Sequence, residues 1–350
     1  MASSLQNPTV SVVMPAFNAE QYFYSAAASI LNQEFTDFEF IIIDDHSTDQ
    51  TETILRELAE TDDRIKIYRN PKNIGVAASL NFGITTARGQ YIARMDADDI
   101  SLPQRFSKQV AFLDENPDFV FVGTGYQIID AKGRVTRADV EATESWECEW
   151  MSLFRMPIIH PSMMIRRSTL ADIQKPYQSQ YDGAEDYDLV QRLLAQGKGK
   201  AIDDICFQYR MHEQSVSTTQ ASRQRDIARN LCARALINQD FTLSEAEIAL
   251  IANCLYNGPD RQAHDLVIVL DALRKIEGEF AQRYHLNARE ENRIRALSSR
   301  WLLRAVANDK ELKPYLQVAL SYPAETISQI INYGLRRSSL LGHQKNRSAA

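Results

Sequence analysis

The chain has 350 residues, of which 44% are hydrophobic and 24% charged, with 13 Gly, 11 Pro and 4 Cys. That is room for one large or two ordinary domains with an ample core, and it excludes a collagen, a disulfide scaffold and a disordered chain. The net charge of −7 argues against nucleic-acid binding through bulk electrostatics, and it is unevenly split: residues 1–220 carry 20 Lys and Arg against 32 Asp and Glu, whereas residues 221–350 carry 19 against 14.

Four short apolar, β-branched runs recur at near-constant intervals: Val10–Met14, Phe38–Ile43, Ile65–Tyr68 and Tyr91–Ala93. The spacing is that of a βα unit, and helical patterns at Glu20–Gln33, Thr48–Glu60 and Gly75–Thr86 fill the gaps. Ser47-Thr48-Asp49 supplies cap material for the second helix. The pattern predicts a parallel sheet built from βαβ crossovers. A helix at Gln104–Glu115 and strands near Phe119–Gly123 and Tyr126–Asp130 follow, then a mixed stretch. From residue 222 the chain turns Leu-, Ala- and Arg-rich, with helices expected near 222–238, 243–257, 262–283, 289–307 and 312–334. A domain boundary is placed near 220, giving an α/β domain over 1–220 and an all-α region over 221–350.

Cys148, Cys206, Cys232 and Cys254 stand far apart in sequence with no C-x-x-C, so reduced, buried thiols are expected rather than zinc or a redox pair. No apolar run reaches the roughly 18 residues of a spanning helix, and the stretch from Met1 to Val13 lacks the cationic start of a signal peptide. The expected location is cytoplasmic, at most peripheral on the inner membrane face.

In an open α/β sheet, ligands bind beyond the carboxyl ends of the strands, so the chemistry is sought there. The loops carry Pro15-Ala16-Phe17-Asn18, Asp44-Asp45-His46-Ser47, Arg69 through Gly75, and Asp96-Ala97-Asp98-Asp99. No G-x-G-x-x-G follows the first strand and no Walker A sequence occurs, which disfavours a dinucleotide oxidoreductase and a P-loop NTPase. Three carboxylates within so short a run repel one another unless a cation neutralises them, and Mg²⁺ or Mn²⁺ bound there leaves positions for diphosphate oxygens. The competing reading is a solvated acidic turn ahead of the next helix. Asp44-Asp45 offers an acceptor for a base N3–H, or else an acidic lead-in to a helix. Glu185-Asp186 opens a helix after a polar loop, Gln174–Gly183, as dipole partners or as a general base beneath a lid. His212, beside Arg210, is either structural or the completion of a metal and phosphate shell.

Together, in order over residues 8–217, these elements resemble the family 2 glycosyltransferases: Val10 through Asn18, Asp44-Asp45-His46-Ser47-Thr48-Asp49, Asn73-Ile74-Gly75 with Ser79-Leu80-Asn81-Phe82-Gly83-Ile84, Gly89-Gln90-Tyr91-Ile92, Asp96-Ala97-Asp98, Glu185-Asp186 and Arg210-x-His212. The resemblance implies a GT-A fold, a Rossmann-like and mostly parallel sheet flanked by helices. It also implies a nucleotide-diphospho-sugar donor, Mg²⁺ or Mn²⁺, and hexosyl or N-acetylhexosaminyl transfer with inversion. Carried over by position, Pro15, Ala16, Phe17, Asp44, Asp45 and Asn73 would hold the base and ribose, with Asp96 and Ala97 near the ribose. Asp98 and Asp96, with His212 as distal ligand, would hold the metal; Asp186 would be the catalytic base, supported by Glu185. UDP is the nucleotide implied, with TDP as the alternative.

The Q-x-x-R-W element of processive members is absent, which implies addition of single sugars to a saccharide or lipid-linked acceptor in bacterial surface polysaccharide synthesis. The alternatives are a sugar-1-phosphate nucleotidyltransferase, whose Gly-rich basic loop is missing after the first strand, and a silent sugar-nucleotide scaffold, which would have lost Asp98 or Asp186. The C-terminal region, 221–350, reads as a helical module packed on the catalytic domain or used in a homodimer. Past Glu325 there is no acidic residue, and Arg336, Arg337, Lys345 and Arg347 follow the apolar Ile327, Ile330, Ile331 and Leu335, a basic amphipathic tail suited to an anionic membrane.

Overall fold

A computed structural model of the chain describes residues 7–173, 175–213, 221–256 and 263–306. The chain divides into two compact units, Met1–Ile227 and Ala228–Ala350.

In the first unit, strands β1 (Val10–Ala16) and β2 (Phe38–Asp44) are buried along their whole length. Such continuous apolar runs belong in a sheet covered on both faces. With β3 (Ile65–Arg69) and β4 (Tyr91–Arg94) they form a parallel block in the order β3-β2-β1-β4, registered by Val10 against Phe38 and Tyr91. Helices α1 (Phe23–Leu31), α2 (Thr51–Ala59) and α3 (Val76–Thr86) connect these strands. Helix α3 lies so close to the sheet that a Cβ on Gly83 would meet Val13 Cγ1 at 2.5 Å.

Helices α1 and α2 begin at Phe23 and Thr51, later than the predicted starts at Glu20 and Thr48. Asp49 Oδ1 accepts from the Thr51 N–H at 3.0 Å in the first turn of α2, and the same stretch also ties the first two loops together. Asp49 accepts from the Glu20 N–H at 3.1 Å, and Thr51 Oγ1 from the Ala19 N–H at 2.8 Å.

Beyond β4 the sheet is mixed rather than parallel. Short β5 (Ile100–Ser101) and α4 (Arg105–Glu115) lead into β6 (Phe119–Ile129), one strand where two were expected. Strand β7 (Val135–Asp139), α5 (Ser145–Ser152), β8 (Met164–Arg166), α6 (Arg167–Ala171), α7 (Glu185–Leu194) and β9 (Lys198–Arg210) complete the unit. Strand β8 runs antiparallel to β4 and β6, β9 parallel to β6, and β7 antiparallel to β6, in the path β3-β2-β1-β4-β8-β6-β9-β5. The core clusters around Val12, Met14, Phe40, Ile42, Phe106 and Phe207.

The second unit is helical, with α8 (Ala221–Asn238) leading into it, then α9 (Glu245–Tyr256), α10 (Ala263–Arg283) and α11 (Ala288–Val306). Ile251, Leu273, Ile276, Ile294 and Trp301 are buried there, and Phe280 stacks on Tyr284 with centroids 4.2 Å apart. The four cysteines are free and buried. Among the described residues no helix is long and apolar enough to cross a membrane. The helix expected at 312–334 and the basic tail lie outside the described residues.

Candidate active site

Because β1, β2 and β4 run parallel, their carboxyl ends open on one edge of the sheet. Pro15 and Ala16 close β1 in the core, and Phe17 follows with 49% of its surface exposed. Asn18 and His46 sit in the left-handed region at φ +48° and +64°, where Asn and His are among the tolerated residues. Asn18 Oδ1 accepts from the Thr48 N–H at 2.8 Å and its own N–H donates to Ser47 Oγ at 3.0 Å, so the first two loops form one wall.

The adjacent carboxylates of the second loop separate in role. Asp44 is wholly buried, with one oxygen accepting from Arg69 Nη1 at 2.6 Å and the other from the Ser47 N–H at 2.9 Å. It supports the loop from behind and shows no open face. Asp45 accepts from Asn70 Nδ2 (2.8 Å) and from the N–H groups of Ile74 (2.9 Å) and Gly75 (2.8 Å). It therefore shapes the turn that opens α3, where Gly75 adopts φ +86°, and leaves Asn73 exposed on the loop.

Asp96, Ala97, Asp98 and Asp99 follow β4, and one oxygen from each of the three carboxylates lies within 4.8 Å of the others. Their partners come from both ends of the unit. Asp96 pairs with buried Arg94, and His212 Nε2 lies 2.9 Å from Asp98 Oδ2 across 114 residues of chain. Asp99 accepts from the Arg210 N–H at 2.7 Å, and Arg210 Nε donates to the Asp98 carbonyl at 2.7 Å. Tyr22 braces this closure, its ring 5.1 Å from the His212 ring and 4.5 Å from the Arg210 guanidinium carbon.

Burial raises the proton affinity of Asp96, against the pull of Arg94, and the neighbouring Asp98 adds to the rise. Asp99 is held well above the usual carboxylate range by burial, then by Asp98 and Asp96. Its Oδ2 is buried with no hydrogen-bond partner among the described residues. An orphaned oxygen, crowded like charges and one imidazole nitrogen make a donor set that a Mg²⁺ or Mn²⁺ ion fits.

Helix α7 presents Glu185 and Asp186 in its first turn. Burial, then the charge of Asp186, pushes the Glu185 carboxyl up to about 7, and burial raises Asp186 too. Asp186 is close enough to Asp96 for its charge to raise Asp96 further. The loop ahead of α7 has a fixed root. Tyr177 is buried, its phenol 2.8 Å from His160 Nε2, and its backbone is bonded to the Asn81 side chain. The tip of the loop is the 3₁₀ turn Ser179–Tyr181, where Ser179 and Gln180 are exposed.

The structure thus brings together Asp96, Asp98 and His212, with Asp186 near Asp96; it sets Asp45 behind the α3 turn and Asp44 behind the loop. Sequence reasoning gave no separate role to Arg94, Asp99 or Tyr22, and saw in Arg210 only a neighbour of His212. Asp99 had a signal in its membership of the acidic run, whereas Arg210 and Tyr22 gain meaning through contacts with distant parts of the chain and Arg94 through its burial beside Asp96.

The comparisons with known proteins agree with this geometry. The family model described as glycosyl transferase family 2 matches residues 11–173. An uncharacterized glycosyltransferase of Haemophilus influenzae is 33% identical over 233 residues, 64% of this chain and 72% of the relative. The O-antigen biosynthesis glycosyltransferase WbnJ of Escherichia coli is 30% identical over 253 residues, 71% of this chain and 94% of the relative. Among solved structures, S. aureus TarS 1-349 in complex with UDP-GlcNAc aligns with a TM-score of 0.56 at 19% identity, over 89% of this chain and 90% of that one. At that identity the likeness establishes the fold, which is GT-A. An alignment that covers 94% of WbnJ, a family match that starts in β1, and an acidic loop at the carboxyl edge of the parallel strands have one common explanation: this chain belongs to glycosyl transferase family 2.

Proposed function

We propose that the chain is an inverting transferase that moves one hexosyl or N-acetylhexosaminyl group from a UDP-sugar to a hydroxyl of a saccharide or lipid-linked saccharide acceptor. The observation that carries this reading is the meeting of Asp98 with His212 at 2.9 Å, with Asp186 near enough to Asp96 for their charges to interact. Support for surface polysaccharide as the setting comes from the E. coli relative named for O-antigen biosynthesis.

In this reading the wall formed by Pro15, Ala16, Phe17 and the Asp45-shaped turn receives the base, and Asp96 receives the ribose. Asp98 and His212 hold Mg²⁺ or Mn²⁺ where the diphosphate leaves. When bound, the ion offsets the charge that develops on the leaving diphosphate. Asp186 takes the proton of the acceptor hydroxyl as its oxygen attacks the anomeric carbon from the face opposite the leaving group. Burial strengthens Asp186 as a base. Glu185, held toward its neutral form near pH 7, spares Asp186 a second full negative charge. One carboxylate suffices, because a single displacement forms no glycosyl-enzyme bond.

The test is a screen of nucleotide sugars for metal-dependent release of nucleoside diphosphate, repeated with Asp98→Ala and Asp186→Asn. Release from a UDP-sugar that disappears with chelator and falls by about 10³-fold or more in both variants is expected. Release indifferent to chelator or to either substitution overturns the mechanism.

A further inference from the structure

Arg94 ends β4 just before the acidic loop, and its side chain is 7% exposed. Its Nη1 pairs with Asp96 Oδ2, while its Nε is buried with no hydrogen-bond partner among the described residues. Its backbone is fixed on both sides: the N–H donates to the Met163 carbonyl at 2.9 Å, and the carbonyl accepts from Nη2 of fully buried Arg105 at 2.8 Å. Arg94 therefore cannot follow a ligand outward; it holds Asp96 at a set place.

The cluster poses a problem that this arrangement answers. Three carboxylates with oxygens within 4.8 Å can all close on one divalent ion. A cage of that kind grips the ion but uses coordination positions that a diphosphate needs. Asp98 is paired with His212 and Asp99 with the Arg210 backbone, so each carboxylate of the run has a different partner.

We propose that Arg94 is a positioning residue that partitions the acidic loop, withholding Asp96 from the metal so that Asp98 and His212 bind it and Asp96 remains for the donor. The inference rests on the metal-dependent reading above. It predicts an unusual sign: removing Arg94 tightens the grip on a bare ion while it impairs turnover, whereas a residue that merely supported the fold would weaken both.

The experiment titrates the nucleotide-free, full-length protein with Mn²⁺ alone, following the free-ion EPR signal, in wild type, Arg94→Met, Asp96→Asn and the double variant. Arg94→Met is expected to bind Mn²⁺ about tenfold more tightly, since one like charge is lost and one carboxylate released near the ion. Asp96→Asn alone should weaken binding, but by clearly less than Asp98→Ala does, because it removes a nearby negative charge and no ligand, and in the Arg94→Met background it should abolish the gain. Arg94→Lys keeps a cation but lacks the guanidinium fork, and should show a smaller tightening where Arg94→Met fails to fold. Unchanged or weaker Mn²⁺ binding in a folded Arg94 variant overturns the inference, as does a loss in Asp96→Asn equal to that in Asp98→Ala. Wild-type protein that binds no Mn²⁺ overturns the metal-dependent reading itself, a different result from wild-type binding that ignores Arg94.

Discussion

The side-chain amide of Asn81 brackets the backbone of Tyr177, donating to its carbonyl at 2.6 Å and accepting from its N–H at 2.9 Å. Asn81 lies in α3, the helix whose first turn Asp45 shapes, and Tyr177 roots the loop ahead of Asp186. One side chain thus ties the helix whose opening turn Asp45 shapes to the loop ahead of Asp186. Asn81→Ala removes two partly buried bonds, together about 1–2 kcal/mol. Amide exchange over residues 176–184 should accelerate, with kcat falling about tenfold and the donor KM held within about twofold. Exchange at the wild-type rate would refute the coupling.

Asp45 accepts three donors from the loop that opens α3. In Asp45→Asn an NH₂ must face one of those donors, leaving a repulsive or unsatisfied contact. A loss of about 1–3 kcal/mol in denaturant unfolding and a raised donor KM are expected. A variant as stable as wild type, with its KM intact, would show that the loop does not depend on this carboxylate.

Glu185 gives a pH dependence whose sign follows from its buried place. Its carboxyl is raised from 4.5 to about 7, so its contribution to stability is complete below pH 4.5 and is lost as pH rises through 7. Glu185→Gln cannot ionise and keeps an acceptor for the Gly183 N–H, which donates at 2.6 Å. In metal-free protein the substitution should be nearly neutral at pH 4.5 and stabilising by on the order of 2 kcal/mol at pH 8. Denaturant unfolding at the two pH values measures this, and a larger gain at the acid end would reverse the assignment.

His212 approaches Asp98 from just beyond the last strand of the unit. Its removal should raise the Mn²⁺ concentration for half-maximal turnover by about 10–100-fold, and saturating metal should restore most of the rate. A His212→Ala enzyme with the wild-type metal dependence would exclude His212 from that role.

The first half of the fold was readable because its strands are short, apolar runs, each followed by its own helix. Strand β6 was not. Gly123-Thr124-Gly125 looks like a break, yet both glycines are interior to one strand, where Ile158 would stand 2.8 Å from a Cβ on Gly123 and Val140 2.7 Å from one on Gly125. The glycines are there for close approach, not for a turn. Strand β9 escaped notice as well, since its burial follows no strict alternation from Lys198 to Arg210.

The site divides along the same line. Asp98, Asp186 and His212 belong to short motifs with their own spacing and were named from them. Asp44 was named with Asp45, because adjacency in sequence cannot tell which of two carboxylates turns inward to Arg69. Arg94 stands just past the Tyr91–Ala93 run and outside every motif, and its role depends on its depth below the surface and on the fixed backbone around it.

The contact between Asp98 and His212 also orders events during synthesis. At roughly 5–20 residues per second, the 114 residues that separate them take roughly 6–23 s to be made. Throughout that interval β9, which belongs between β6 and β5, is incomplete, and the acidic loop lacks its closing strand. A nascent chain can therefore display the carboxylates of Asp96, Asp98 and Asp99 without assembling the cleft. Until the first unit is almost entirely made, Asp98 lacks its His212 partner, and a truncation within β9 removes the strand that leads to it.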